Sequence, residues 1–177
     1  MMYTSHYESP LGGILLAADE VGLTGLWFDG QQYFARTLDR EHTAQETEII
    51  TQAKRWLDVY FSGKEPDFTP PLHPSGSPFQ QAVWELLLQI PYGQTTTYGA
   101  LAAQLAAAHG GKKMSAQAVG GAVGRNPISL LIPCHRVVGT SGSLTGYAGG
   151  IDKKLRLLEL EQADTSRLFV PKKSRSF

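Results

Sequence analysis

Cys134 is the only cysteine of the chain, and it lies between Pro133 and His135, with Arg136 directly after. A single cysteine forms no intrachain disulfide and builds no cysteine-based metal site, so the sequence predicts no metal centre. Two interpretations of the thiol remain. The apolar residues before it favour an inert, buried side chain, whereas the flanking histidine and arginine favour a reactive thiol in a polar, cationic environment.

A reactive Cys134 needs a base, because the thiolate is the nucleophile and a free thiol has a pKa of about 8.5. His135 is the nearest base, although a surface histidine without a role also explains it. Neighbouring side chains of an extended segment point to opposite faces, so direct contact requires a turn, and otherwise a water must bridge them. A catalytic histidine is usually oriented by a carboxylate. The second half offers Glu85, Asp152, Glu159, Glu161 and Asp164, and spacing does not separate Glu161 from Glu159.

The charges of the chain are divided unevenly, although its 177 residues have a formal net charge of zero. Residues 1–72 hold 5 Lys+Arg and 11 Asp+Glu, whereas residues 73–177 hold 11 and 5. This asymmetry predicts that the second half meets a polyanion, although an uneven solvated surface explains it as well. The lone thiol, with no signal-peptide pattern and no run long enough to span a membrane, predicts a cytoplasmic location.

The first part of the chain is predicted to be a small sheet with one packed helix. Short apolar runs predict strands over residues 14–18 and 23–28, each bounded by turn residues. Apolar side chains at helical spacing predict a helix over about 44–62, which Gly63 ends. Nothing in this part carries a catalytic pattern. The proline-rich residues 66–78 predict a linker and a domain boundary.

The second part is predicted to be mostly helical. Ser77-Pro78-Phe79-Gln80 combines an N-cap, a first-turn proline and a capping-box glutamine, so a helix begins there. Further helices are predicted over about 97–108, 115–124 and 151–162. We expect residues 128–132 to be extended, 139–150 to form a hairpin or wing, and the tail 164–177 to be frayed.

The helix predicted over 115–124 contains Gly120, Gly121 and Gly124, each of which weakens a helix by about 1 kcal/mol relative to Ala. Glycines are tolerated where another backbone comes close, and either a packed neighbouring helix or a DNA backbone fits. Together with the preceding helix and turn, this helix resembles a helix-turn-helix unit.

The segment Ile132-Pro133-Cys134-His135-Arg136-Val137 resembles the active-site motif of the O6-alkylguanine-DNA alkyltransferases, also called methylated-DNA–protein-cysteine methyltransferases. Other segments follow in the family's order: Phe79-Gln80-Gln81-Ala82-Val83-Trp84, Ile90-Pro91-Tyr92-Gly93, Tyr98-Gly99, Ala118-Val119-Gly120, Asn126-Pro127 and Gly146-Tyr147-Ala148-Gly149-Gly150. The resemblance is strong over about 78–162 and weaker over 1–71, where Ser9-Pro10-Leu11-Gly12 fits. A generic helix-turn-helix protein would not carry this set of motifs.

The resemblance implies an α+β fold of two domains. A small N-terminal RNase H-like sheet-plus-helix domain would occupy residues 1–71, followed by a linker at 72–77. A mostly helical, winged helix-turn-helix domain over 78–164 would carry the active-site cysteine and bind DNA. Residues 165–177 would form a basic tail.

The resemblance also implies an activity. Members of the family bind duplex DNA, rotate an O6-alkylated guanine out of the stack and move its alkyl group to the cysteine, because the reactive atom is out of reach inside the helix. O4-alkylthymine is a second implied substrate. Each molecule acts once, since water does not cleave the thioether. No cofactor, no membrane and no obligate protein partner is implied, and the protein is expected to be a monomer acting on double-stranded DNA that contains alkylated guanine.

Residue roles follow from the family motifs. Cys134 is the implied alkyl acceptor, His135 the base acting through a water, and Glu161 the orienting carboxylate that falls at the end of the Leu-Leu-x-x-Glu pattern. Tyr98 is the implied proton donor to the leaving guanine, and Asn126 braces the active-site segment. The implied DNA contacts are Lys112, Lys113, Ser115, Gln117, Ala118, Gly120, Arg125 and Arg136, and the implied guanine pocket is lined by Ser129, Val137, Tyr147 and Ala148.

One position departs from the family pattern. The family carries an arginine before Ala-Val-Gly, which fills the hole left by the flipped base, and this chain has Gln117 there. Glutamine fills volume and hydrogen-bonds but adds no fixed charge. We therefore expect Gln117 to plug the stack while Lys112, Lys113 or Arg125 supplies the attraction to phosphates.

Three other functions compete with alkyl transfer. An alkyltransferase-like damage-binding protein would recruit other repair factors, but such proteins replace the cysteine that this chain keeps. A transcriptional winged helix leaves the Pro-Cys-His-Arg segment unexplained. A thiol hydrolase would turn over many times, whereas a thioether-forming protein reacts once.

Overall fold

The computed structural model describes residues 1–171 and divides them into two compact units. Unit 1 comprises Met1–Ser75 together with Pro127–Leu131, and unit 2 comprises Gly76–Asn126 and the chain from Ile132 onward. The predicted α+β class is confirmed, since a sheet with a helix precedes a mostly helical part. Within the described residues, no helix combines the length and apolar character that crossing a membrane requires.

Unit 1 is built on a four-stranded sheet with the order β3-β2-β1-β4. The strands are β1 (Met2–Ser9), β2 (Gly12–Ala18), β3 (Leu23–Phe28) and β4 (His42–Ala44). β1, β2 and β3 pair in antiparallel fashion, while β4 is parallel to β1. Gly12 turns the first hairpin at a φ of 114°, a left-handed conformation that favours glycine.

The helix of unit 1, α1, runs over Glu48–Phe61 and is shorter than predicted at its start. The Thr47 side chain caps it by accepting from the N–H of Ile50, and Ala44 lies in β4 instead. Its buried residues are Ile50, Ala53, Trp56, Leu57 and Tyr60, and this face packs on β1, β2 and β3. One core of unit 1 therefore lies between the sheet and this helix, and a second buried cluster of Leu15, Ala17 and Trp27 packs against Ala35 and Leu38.

The segment at 127–131 corrects the expectation of an extended run. It is a series of turns, with Leu130 at a φ of 73°, and only Ile128 forms a bridge, to Leu26 of β3. The N–H of Leu26 donates to the Pro127 carbonyl at 2.8 Å, and the N–H of Ser129 donates to the Leu26 carbonyl at 3.1 Å. The apolar side chains of this segment are buried although its backbone turns and only one bridge joins it to the sheet. A hydrophobic run alone therefore did not identify the conformation.

The described part of unit 2, up to residue 171, contains four α-helices and a short two-stranded sheet. The helices are α2 (Pro78–Leu88), α3 (Tyr98–Ala108), α4 (Ala116–Gly124) and α5 (Ile151–Leu160), and β5 (Thr96–Thr97) pairs in parallel with β6 (Val137–Val138). The predicted capping box of Ser77 and Gln80 begins α2. The indole N–H of Trp84 on α2 donates to the Ala122 carbonyl of α4 at 2.9 Å, which fixes these helices together.

Helices α3 and α4 form the helix-turn-helix pair, and packing inside the protein does not require the glycines of α4. A Cβ added at Gly120 would meet the Tyr98 ring no closer than 3.7 Å, which is ordinary contact. One added at Gly121 would meet Arg125 at 3.5 Å, and one added at Gly124 would meet nothing within 4 Å. Alanine would fit at all three positions, so helix packing leaves the glycines unexplained.

The wing region and the tail differ from expectation. The N–H of Gly139 donates to the Ser143 carbonyl at 2.9 Å, which closes a tight turn in place of a regular hairpin. Instead of fraying, the chain after α5 returns to this turn, where Leu144 and Phe169 are joined by a backbone hydrogen bond of 2.9 Å. Leu168 packs against the buried cluster of Val138, Leu144 and Leu158, which stabilises the segment. The remainder of the predicted tail, 172–177, lies outside the described residues.

Candidate active site

Cys134 begins a single 3₁₀ turn, Cys134–Arg136, and its side chain is only 6% exposed. The turn follows Pro133, and the N–H of Arg136 donates to the Pro133 carbonyl at 3.1 Å. Asn126 supports the entry to the turn, because its side-chain amide donates to the Ile132 carbonyl at 2.7 Å. The local backbone at Cys134 and His135 is therefore a turn, the conformation that a direct contact between neighbouring side chains requires.

His135 and Glu161 form a buried pair. The imidazole Nε2 lies 2.6 Å from Oε2 of Glu161, and the side chains are 0% exposed. Glu161 caps the C-terminal end of α5, so the helix places its carboxylate against the turn. The structure thus brings together the two residues that the family motif connects, 26 positions apart in the chain. Glu159 is exposed, which resolves the choice that spacing left open.

Arg136 completes the coordination of the carboxylate and corrects its expected contact with DNA. Its Nε donates to Oε1 of Glu161 at 2.8 Å, and Nη1 donates to the Ile90 carbonyl at 2.7 Å. The backbone N–H of Gly93 also donates to Oε1 of Glu161, at 3.1 Å. Arg136 is 8% exposed. Because its guanidinium is buried and directed inward, it holds Glu161 and is not available to bind a phosphate.

The charges of the pair suit a histidine that accepts a proton. Burial raises the pKa of Glu161, but hydrogen bonds and charge from His135 and Arg136 outweigh burial and hold that pKa well below its usual range. Burial lowers the pKa of His135, partly offset by Glu161. At neutral pH, a neutral imidazole therefore faces an ionised carboxylate. With the proton on Nε2 directed at Glu161, Nδ1 is the unprotonated nitrogen, which is the form of a general base.

Tyr98, at the N-terminus of α3, points its hydroxyl into the same region and donates to the Thr145 carbonyl at 3.1 Å. Burial and the nearby Cys134 raise its pKa. The same carbonyl accepts from Nζ of Lys154 at 2.8 Å. Sequence reasoning missed Lys154, although it precedes Leu157, Leu158 and Glu161 at helical spacing and therefore belongs to the buried face of α5.

The residues expected to line a guanine pocket are placed as follows. Tyr147 is buried, with its ring in an edge-on arrangement 6.5 Å from the His135 ring. Val137 is buried in β6, next to the turn, and Ala148 is half-buried. Ser129 belongs to the 127–131 segment of unit 1. Within residues 1–171, no group of three or more His, Cys, Asp or Glu side chains is arranged to hold a metal ion.

Comparison with known proteins accounts for both parts of the chain. Residues 78–163 match the family model for the DNA-binding domain of 6-O-methylguanine DNA methyltransferase, and residues 2–74 match the model for its ribonuclease-like domain. The chain belongs to this family. The resemblance drawn from the motifs, including an RNase H-like N-terminal domain, is confirmed.

Relatives of the methyltransferase family match over nearly the whole chain. A methylated-DNA–protein-cysteine methyltransferase of Methanosarcina acetivorans is 43% identical over 160 residues, which cover 90% of this chain and 98% of that protein. A crystal structure of Mycobacterium tuberculosis O6-methylguanine methyltransferase is 41% identical, with a TM-score of 0.77 over 98% of this chain and 97% of that one. The Mycobacterium tuberculosis protein in complex with DNA is 41% identical, with a TM-score of 0.76 over 94% of both chains.

Most residues that the family motifs assign to DNA lie on one exposed stretch before and along α4. The exposed members are Lys112, Lys113, Ser115, Gln117, Ala118 and Arg125, while Gly120 is half-buried. The Ser115 hydroxyl is already occupied as the N-cap of α4, accepting from the N–H of Ala118 at 2.9 Å. The position at which this methyltransferase departs from the family, Gln117, is therefore exposed in the first turn of α4.

Proposed function

We propose that Cys134 accepts a methyl or larger alkyl group from O6 of an alkylated guanine, or from O4 of an alkylated thymine, in duplex DNA. The observation that carries this proposal is the buried pair formed by His135, in the turn that begins with Cys134, and Glu161 at the end of α5, with 2.6 Å between Nε2 and Oε2. A neutral histidine oriented by a carboxylate is the arrangement that activates a weak nucleophile. Such a pair next to the only thiol supports a nucleophilic role for that thiol.

In the proposed reaction, His135 takes the thiol proton through a water, and the thiolate attacks the alkyl carbon. A carbon–sulfur bond forms, the carbon–O6 bond breaks, and its electron pair remains on the guanine. Tyr98 donates a proton to the leaving base. The products are a thioether on Cys134 and an unmodified guanine. Because water does not cleave the thioether and no second thiol is available to remove it, each molecule reacts once.

DNA recognition is proposed for α4 and the exposed stretch before it. A basic, exposed surface supplies the phosphate attraction that dominates DNA affinity. Gly120 and Gly121 of α4, which are partly exposed and which internal packing leaves unexplained, allow a close approach to the minor groove. We propose that Gln117 fills the gap left by the flipped base, while Lys112, Lys113 and Arg125 bind phosphates. The relative in complex with DNA supports DNA as the partner.

The alkylated base would be held by Tyr147, Val137 and Ala148 of unit 2, with Asn126 keeping the turn in place through the Ile132 carbonyl. An aromatic side chain that contacts the His135 ring is suited to a base held next to the thiol. The reaction requires no group from a second subunit, which supports a monomer. A single cysteine outside any disulfide supports action in a reducing compartment such as the cytoplasm.

Intact mass spectrometry tests the proposal directly. The protein is mixed with a duplex containing one O6-methylguanine, and the expected product is one added methyl group per chain, mapped by peptide fragmentation to Cys134. The Cys134→Ser variant is the control and should bind the duplex without gaining mass. Multiple turnover, or binding without transfer by the unmodified protein, would contradict the proposal, and the second outcome would favour a damage-binding protein.

A further inference from the structure

Lys154 is a buried charge that folding alone does not explain. Its side chain is 0% exposed and lies on the α5 face that buries Leu157 and Leu158. Within the described residues, no carboxylate lies within 4.0 Å of its ammonium. A buried ammonium without an anionic partner is unfavourable, and methionine or leucine would fill the same space at no such cost. A lysine at this position therefore indicates a role in the reaction.

The groups around Lys154 are those of the proposed transfer. Its Nζ donates to the Thr145 carbonyl at 2.8 Å and lies 5.8 Å from the centroid of the Tyr98 ring. Its charge also interacts with Cys134 and with His135 on the 3₁₀ turn. The other two charged groups of this region, Arg136 and Glu161, are paired with each other. The ammonium of Lys154 is therefore a positive charge that acts on both the Cys134 thiol and the Tyr98 phenol.

The Thr145 carbonyl connects Lys154 to the movement of a proton. It accepts from both the Tyr98 hydroxyl, at 3.1 Å, and Lys154, at 2.8 Å. Tyr98 must release this bond before its hydroxyl can donate to a base. The Thr145 carbonyl is partly buried, so losing its donor would cost free energy, but a second donor avoids that loss. Lys154 therefore allows Tyr98 to turn toward the base without leaving a carbonyl unsatisfied.

We propose that Lys154 is a positioning residue of the transfer reaction, which holds the Thr145 carbonyl while Tyr98 turns to the base and favours the anions formed on Cys134 and Tyr98. The inference rests on the proposed function. The thiolate forms when His135 takes the thiol proton, and the phenolate forms when Tyr98 gives its proton to the leaving guanine. Lys154 neither gains nor loses a proton in these steps, because its charge acts through space.

The pH dependence of the single-turnover rate tests this role. Burial lowers the pKa of Lys154 to about 8, so its charge is present below that pH and is lost above it. We expect the unmodified protein to transfer methyl groups more slowly above about pH 8. In Lys154→Met, the rate at neutral pH should fall by about 100-fold, the scale for a lost electrostatic group in an active site, and the decline above that pH should disappear.

Two further variants make the test decisive. Lys154→Arg stays charged at all accessible pH values, so it should retain more activity than Lys154→Met and show no decline at alkaline pH. If Lys154→Met does not fold, as judged by circular dichroism, the pH dependence of the transfer rate of Lys154→Arg decides whether the charge of Lys154 contributes. Arg156→Met changes an exposed charge on the same helix and should reproduce the unmodified profile. Equal rates and profiles in all variants would overturn the role of Lys154.

A second measurement separates this inference from the proposed function. The rate at which a small alkylating reagent modifies Cys134 in the DNA-free protein reports its thiolate. The pH at which this modification rate is half-maximal should rise in Lys154→Met and stay unchanged in Arg156→Met. If the unmodified protein transfers no alkyl group from DNA but this shift is seen, the proposed function fails and the influence of Lys154 on Cys134 stands. An unchanged midpoint contradicts the inference even when transfer occurs.

Discussion

His135 Nε2 lies 2.6 Å from Glu161 Oε2, and Arg136 donates to both oxygens of the same carboxylate, from Nε to Oε1 at 2.8 Å and from Nη2 to Oε2 at 3.2 Å. One buried carboxylate therefore orients the base and neutralises an arginine. The arrangement explains why the carboxylate is ionised in a buried site, where an isolated acid would be protonated. It also makes the site sensitive to the loss of a single negative charge.

Glu161→Gln should preserve the geometry of the contact with His135 and remove the negative charge of the carboxylate. The imidazolium that forms on His135 loses its stabilising anion, so we expect the single-turnover rate to fall by about 10²- to 10⁴-fold. Arg136 becomes an unpaired buried charge, so the free energy of unfolding should also fall, by about 3 kcal/mol. Quenched-flow methyl transfer and urea denaturation measure the two effects. The matched control is Glu159→Gln, an exposed change two residues away, and equal rates in the two variants would show that Glu161 does not support the base.

Three helices of unit 2, α2, α3 and α4, begin with residues whose side chains cap the first turn, which is a signal that the local sequence carries. Ser77 and Gln80 form the predicted capping box, and Thr97 and Ser115 each cap a helix through one backbone N–H. Strand β1 was missed, since most of its residues are polar and it contains no apolar run. Helix-capping patterns were therefore reliable, whereas the sequence did not show that β1 pairs with β2 and β4.

The site was predictable only in part. The family motif identified Cys134, His135 and Glu161, and the structure brings the last two into contact. The DNA contact expected of Arg136 is wrong, because a sequence motif does not show that an arginine is directed inward. Lys154 was passed over because lysine is normally exposed, although its helical spacing from Leu157 placed it on the buried face.

Gln117→Ala should weaken both DNA binding and repair if the side chain fills the gap left by the flipped base. The exposed position makes a change in stability small, so a lower rate at saturating duplex reports the flipping step. We expect a rate lower by about 10-fold, equivalent to about 1.4 kcal/mol. Gln104→Ala, another exposed glutamine on the preceding helix, is the control. Unchanged affinity and rate in Gln117→Ala would exclude a plugging role.

Lys112→Gln and Lys113→Gln should weaken binding to damaged and undamaged duplexes alike, because phosphate contacts carry no sequence information. Each neutralised contact should reduce the slope of log affinity against log salt by about 0.9. Fluorescence anisotropy at several salt concentrations measures this slope. Lys64→Gln, which removes an exposed charge from unit 1, should leave the slope unchanged. A loss confined to the alkylated duplex would instead indicate that these lysines contact the damaged base.

Lys154→Met should make the protein more stable at neutral pH while making it less active. The folded protein lowers the pKa of Lys154 from 10.5 to about 8, so the folded state disfavours the charged form. The resulting loss of folding free energy is complete below about pH 8, where Lys154 is charged in both states. It decreases as the pH rises toward 10.5, because over this range the unfolded chain binds the proton and the folded protein does not. After allowance for the lost hydrogen bond to Thr145, the gain at pH 7 should be about 2 kcal/mol. Urea denaturation of both proteins from neutral to alkaline pH should show that the difference between their free energies of unfolding decreases as the pH rises. A variant that is less stable at neutral pH, with a gap independent of pH, would show that the lysine serves packing and not the charge of the site.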